Sequence, residues 1–168
     1  MKPEDITIAF FPCTMFQENN AIIFSGKQYQ HTKYTLSEKM DVLIERHQKL
    51  NLFYTRLCQF VRLYTDRGLR LIIENPATPP HYLSTYWIPS TFTDPDRRTD
   101  GDFFKKPTQY WFIGFTPKSN FLFEPIEYVE TKAIKKINSS DREVQRSMIH
   151  PQYARRFIKQ YVLEDTQP

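Results

Sequence analysis

The chain has 168 residues, 40% hydrophobic, 15% aromatic and 25% charged, with a mean hydropathy of −0.58; this is the balance of a globular domain and excludes disorder and collagen-like repeats. The net charge of +4 and a pI near 9.0 lean toward polyanions, too mildly to identify one. No run reaches the ~18 apolar residues of a membrane-spanning helix, and Met1-Lys2-Pro3-Glu4-Asp5 lacks a signal peptide's apolar core, so a cytoplasmic protein with no membrane partner is expected.

Residues 1–168 are expected to form a single domain, with an irregular insert at about 77–106 where prolines cluster. Ile6-Thr7-Ile8-Ala9-Phe10-Phe11 is short, β-branched and aromatic, and it stops at Pro12; it reads as a parallel-sheet strand apolar on both faces. Thr35-Leu36-Ser37-Glu38 has the spacing of a capping box. It opens a helix whose stripe is Met40, Leu43, His47, Leu50, Phe53, Leu57, Val61 and Tyr64, with Gly68 as a left-handed stop. At ~1.5 Å per residue this helix outruns a six-residue strand, which predicts a bend near Asn51 or an overhang.

Leu69-Arg70-Leu71-Ile72-Ile73 is the next strand and delivers Glu74-Asn75-Pro76 at its carboxyl end. Strand, helix, strand predicts a right-handed parallel crossover. Cys13 and Glu74 then lie just past the carboxyl ends of neighbouring strands, the edge where open α/β sheets place ligands. Tyr110 to Phe115 reads as a third strand, and Ser139-Ser140-Asp141 precedes charged residues and a final helix. Pro151 suits the first turn of that helix, Ala154, Phe157, Ile158 and Tyr161 its apolar stripe, and Arg155, Arg156 and Lys159 its basic face.

Two cysteines, Cys13 and Cys58, make no disulfide framework and have no zinc-ligand spacing, so no metal is expected. The four glycines, Gly26, Gly68, Gly101 and Gly114, are isolated, so no glycine-rich phosphate cradle forms. A thiol and an acid at one sheet edge fit addition to an electrophilic ring or acyl carbon. Taken singly, Cys13 reads more readily as an inert buried thiol than as a nucleophile, while Glu74 reads evenly as a functional acid or as a loop anchor or helix cap. Arg97-Arg98, Lys105-Lys106 and Arg155-Arg156 are candidate phosphate contacts, or else solvated doublets, with Phe103, Tyr110 and Trp111 near them for stacking. His31, His47, His81 and His150 are scattered and form no triad, which disfavours cysteine-dependent acyl transfer.

Asp5 to Cys13 resembles the strand and Pro-Cys loop of DNA cytosine-5 methyltransferases, and Glu74-Asn75-Pro76 resembles that family's Glu-Asn-Val motif, with proline for valine. Pro107 to Gly114 is weakly similar to its Pro-Gln-x-Arg-x-Arg segment, without the arginines. Arg146 to Arg155 is similar to its R-x-L-T-x-x-E-x-A-R pattern, with Ile149 and Gln152 in place of threonine and glutamate. Lys105 to Trp111 resembles a phage and gut-bacterial branch, and the resemblance as a whole spans roughly Asp5 to Leu163.

The resemblance implies an α/β fold with a partial Rossmann-like parallel sheet and flanking helices. It implies DNA as substrate, S-adenosylmethionine as methyl donor, Cys13 as nucleophile and Glu74 as the group on ring nitrogen 3, with Pro12, Asn75 and Pro76 shaping their loops. Arg97, Arg98, Lys105, Lys106, Arg155 and Arg156 would contact DNA. The family's glycine-rich cofactor motif precedes Pro-Cys, yet only twelve residues precede Cys13. The expectation is therefore a catalytic portion whose strand 6–11 has an open edge, completed by a second chain or by its own copy in a homodimer. The alternative is a noncatalytic DNA-binding or protein-interaction remnant of the same fold. Sequence recognition would lie in Ser84 to Asp102 or Lys118 to Asp141.

Overall fold

A computed structural model describes residues 2, 4–11, 16, 31–77, 81–130 and 142–163. The chain is mixed α/β and forms two compact units, Met1–Phe92 with Gln109–Phe115, and Thr93–Thr108 with Thr116–Pro168. Strands β1 (Ile6–Phe10), β2 (Arg70–Pro76), β3 (Phe92–Asp94) and β4 (Thr108–Ile113) make one open sheet in the order β1-β2-β4-β3. Helices are α1 (Leu36–Asp66), α2 (Tyr82–Tyr86), α3 (Arg142–Ser147) and α4 (Pro151–Tyr161), with a 3-10 turn at Arg97–Asp100. Among the described residues no helix is long and apolar enough to cross a membrane.

In the first unit, β1 and β2 are parallel neighbours joined through α1, as the sequence predicts, and Phe10 is in register with Glu74. The sheet as a whole is mixed rather than all-parallel, a common arrangement where an open sheet ends in short edge strands. The capping box of α1 is complete: the Glu38 amide donates to Thr35 Oγ1 at 3.3 Å and the Thr35 amide to Glu38 Oε2 at 2.7 Å. The Thr35 amide and the Thr35 hydroxyl, which donates to the same oxygen at 2.8 Å, hold the Glu38 carboxyl below its ordinary pKa. At the other end Gly68, at φ +62, lets its own amide reach Thr65 O at 3.1 Å while the Leu69 amide reaches Tyr64 O at 2.9 Å.

Leu50, Leu57 and Tyr64 of α1 are buried with Phe16, Leu71, Ile73, Leu83 and Trp111, the core of this unit. The expected stripe is incomplete at its start, since Met40 is exposed along with Leu36 and Ile44. Length explains this. Thirty-one residues span ~46 Å of helix, whereas seven residues of β2 span ~23 Å. Tyr64 donates to Thr7 Oγ1 at 3.0 Å and the Phe60 ring meets Phe11 at a tilt, 5.6 Å between centroids, so earlier turns of α1 run on past the carboxyl ends of the strands. The overhang is realised.

Residues 77–106, expected to be irregular, hold α2, β3 and the 3-10 turn. β3 escapes a pattern search because only three residues of it lie between prolines. Its neighbourhood is set by pairing: the Thr91 amide donates to Tyr110 O at 2.9 Å, and the Phe112 amide to Thr91 Oγ1 at 3.1 Å. β4 starts two residues earlier than the expected strand and ends before Gly114, whose φ is +78. A Cβ there would lie 2.6 Å from the Leu69 carbonyl oxygen, so glycine is required by both conformation and space.

In the second unit, Tyr153 and Phe157 of α4 are buried, while Ala154, expected in the stripe, is exposed. Tyr153 wins because its ring covers Arg97 and its hydroxyl donates to Asp94 Oδ2 at 2.9 Å. Pro151 occupies the first turn as expected, and His150 caps it, with Nδ1 accepting from the Gln152 amide at 3.1 Å.

Candidate functional site at the carboxyl end of strand β2

β2 is buried from Leu71 to Pro76, so its apolar run carries Glu74 into the interior, where it is 4% exposed. Burying a carboxyl group is costly unless it is partnered, which makes the position a candidate for function. Asn75 is fully buried and donates from Nδ2 to the Phe11 carbonyl at 3.2 Å. The residue after β1 is thereby fastened to the residue after Glu74. The carbonyl of Pro76 accepts from Gln109 Nε2 at 2.9 Å.

Gln109 extends this network. Its Oε1 accepts from Ser84 Oγ at 2.9 Å, and its Nε2 lies 3.2 Å from His81 Nδ1. His81 is buried, and burial drives its pKa down to about 4, so it is a neutral imidazole at pH 7. Pro76, His81, Ser84 and Gln109 therefore form one polar network directly after Glu74 and Asn75 on β2. Sequence reasoning missed His81 and gave Gln109 no role. The available signal was a glutamine immediately before the apolar run Tyr110 to Ile113.

Pro12 and Cys13 lie outside the described residues. The six basic residues expected to meet DNA separate sharply. Arg97 is fully buried, ion-paired to Asp102 and 4.6 Å over the Tyr153 ring, so its guanidinium offers no surface to a phosphate. The need to stitch the 3-10 turn to α4 consumes it. Arg98 is held bidentately by Asp96, at 2.9 and 2.6 Å. Lys105 is exposed and Lys106 half-buried. Arg155 is exposed, whereas Arg156 is largely covered, 3.6 Å from Asp100 and donating to Glu124 O at 3.1 Å.

Gln152, standing where the resembled pattern has glutamate, clamps one residue of the segment after β4. Its Oε1 accepts from the Glu127 amide at 2.9 Å and its Nε2 donates to the Glu127 carbonyl at 3.1 Å. A carboxylate cannot donate, so only the amide makes both bonds. No group of three or more His, Cys, Asp or Glu arranged to hold a metal occurs among the described residues. Compared with family models, with curated proteins and with solved structures, the chain finds no match in any of the three.

Proposed function

We propose that this chain is the catalytic portion of a DNA cytosine-5 methyltransferase, built on one side of a Rossmann-like sheet, as its Pro-Cys and Glu-Asn segments imply. The observation that carries the reading is the fastening of β1 to β2 at their carboxyl ends: Phe10 is in register with Glu74, and Asn75 binds the Phe11 carbonyl. Only Pro12 separates Phe11 from Cys13, two steps of chain with a reach of at most ~7 Å. That short reach supports a thiol working together with the buried acid at the end of β2, the edge where such sheets bind ligands.

Cytosine is a poor nucleophile at carbon 5, and the base must leave the duplex to be reached. The Cys13 thiolate adds to carbon 6, forming a carbon–sulfur bond, while Glu74 donates its proton to ring nitrogen 3. The electron pair of the former 5,6 double bond becomes the nucleophile at carbon 5. Carbon 5 takes up an electrophile, a solvent proton in the exchange reaction; its original proton then passes to water, the electrons of that bond restore the 5,6 double bond, the carbon–sulfur bond breaks with its pair leaving on the thiolate, and the nitrogen 3 proton returns to Glu74. Pro12 and Pro76 shape the two loops, and Asn75 holds them together.

S-adenosylmethionine would supply the methyl group, but the described residues include no glycine-rich turn to cradle it, so no step is derived through it. The reading assigns it to a complementing segment, chain or second copy. β1 is an edge strand and Phe10 is 60% exposed, which supports such pairing.

The chemistry of Cys13 can be tested without a methyl donor. Reversible addition at carbon 6 lets solvent protons exchange at carbon 5, so DNA tritiated there should release its label. Release that disappears in Cys13→Ser supports the reading. An intact protein that binds DNA without releasing label is a binding module instead.

A further inference from the structure

We propose that Phe10 is a substrate-contacting residue: its ring is the floor on which the target heteroaromatic ring lies while the neighbouring Glu74 meets that ring's nitrogen edge. The proposal rests on the methyltransferase reading of Glu74 and gives a role to a residue which that reading leaves without one.

The register of the sheet fixes where Phe10 stands. Thr7 accepts from Tyr64 of α1, Ala9 and Phe11 pack against the α1 core, and Leu71 and Ile73, the partners of Thr7 and Ala9 on β2, belong to that core. Successive side chains of a strand alternate between faces. Ile8 and Phe10 therefore rise on the face away from α1, with Ile72 and Glu74 as their partners in register. Neighbouring strands lie ~4.8 Å apart, so Phe10 and Glu74 stand side by side at the last paired position of β1.

That face is covered unevenly. Ile72 and Glu74 are buried, and so are Tyr110 and Phe112 of β4, which alternate with Trp111 of the α1 core. On β1 the cover stops, with Ile8 36% and Phe10 60% exposed. The result is a ledge with the acid on its inner side and a bare phenyl ring next to it. Exposure rises along β1 from half-buried Ile6 to Phe10. A further protein layer seated along the strand would need Ile6, Ile8 and Phe10 alike to be bare; here the opening is confined to the carboxyl end, where open sheets bind ligands. Edge pairing of β1 engages its backbone and leaves this side-chain face as it is.

The two neighbouring groups select the guest. A heteroaromatic base has an apolar face to lay on a phenyl ring and a nitrogen edge to offer a carboxyl group. A wholly apolar guest would gain nothing from the acid. A cation is best held by a cage of several rings, and the stripe Ile6, Ile8 and Phe10 offers one.

The test uses a short single strand carrying one 5-fluorocytosine, read by fluorine NMR with Cys13→Ser protein so that no adduct forms. Binding should move the resonance upfield through the ring current of Phe10. Phe10→Leu keeps the apolar area and removes the ring; in the same background it should abolish the shift and weaken binding roughly 5- to 150-fold, whereas Phe10→Tyr keeps both. With Cys13 present, Phe10→Leu should lower label release from tritiated cytosine by a similar factor and Phe10→Tyr should not. The urea midpoint should move in neither, because the ring is exposed.

An upfield shift and full binding in Phe10→Leu overturn the proposal. So does a resonance that the Cys13→Ser protein leaves unshifted. Halving of the protein's mass in solution by Phe10→Leu, with base binding unchanged, overturns it in favour of a second copy seated on this face. A shift that depends on Phe10, from a protein that releases no label when Cys13 is present, leaves the ring contact standing and removes only the methyltransferase reading; label release without the shift removes only the contact.

Discussion

Asn75 and Phe11 are joined across the carboxyl ends of two parallel strands by a single 3.2 Å hydrogen bond from a fully buried amide. Replacing Asn75 with alanine leaves the Phe11 carbonyl without that donor and opens a small void in the buried end of β2. A loss of about 1–3 kcal/mol is expected from denaturant unfolding. Label release at carbon 5 should fall by more than the stability loss explains, because the two loops are no longer fastened.

His81 makes stability depend on pH. Its pKa is about 4 in the fold and about 6.5 in the unfolded chain, so the unfolded state binds a proton that the folded state refuses. Stability contributed by the neutral ring is present above pH ~6.5, is lost as pH falls toward 4, and levels off below that. The loss should be roughly 1–3 kcal/mol, read as the difference in urea midpoint between pH 7 and pH 4.5. His81→Asn should flatten that difference; an unchanged profile would remove His81 as its source.

Much of the first unit is legible in the sequence. The capping box at Thr35, the glycine stop at Gly68 and the two apolar strands are local signals, and each sits where its residues ask for it. What stays hidden is non-local. Arg97 reads as half of a solvated doublet, and its burial depends on Asp102 five residues on and on Tyr153 far along the chain. Ala154 fits an apolar stripe as well as Tyr153 does, until the Asp94 carboxylate decides the matter. The role of Gln109 emerges only once β2 and α2 stand beside it. Glu74 was findable because strand order and strand ends can be read from pattern; its neighbours were not.

Arg97 and Arg155 should behave oppositely. Arg97→Met strands Asp102 as a buried unpaired carboxylate and is expected to cost about 3–5 kcal/mol. Arg155→Ala leaves unfolding unchanged within about 0.5 kcal/mol and weakens DNA binding in a salt-dependent way. Equal effects on stability and equal effects on salt slope would contradict this division.

Two glycines offer a graded comparison. Gly68 has nothing within 4 Å of an added Cβ, so Gly68→Ala should cost only the left-handed penalty of about 1–2 kcal/mol. Gly114→Ala adds a collision with the Leu69 carbonyl and should cost clearly more. Thermal midpoints of the two variants give the ordering, and a reversed order would show that Leu69 yields.

The central claim is that Cys13 attacks cytosine under the hand of Glu74. DNA carrying 5-fluorocytosine, incubated with S-adenosylmethionine and with or without a complementing glycine-rich segment, traps the covalent species because fluorine cannot leave as the proton does. The expected result is a protein–DNA adduct mapped by peptide mass spectrometry to Cys13, absent in Cys13→Ser and strongly reduced in Glu74→Gln. No adduct in any combination, from protein whose circular dichroism shows an intact fold, would contradict it.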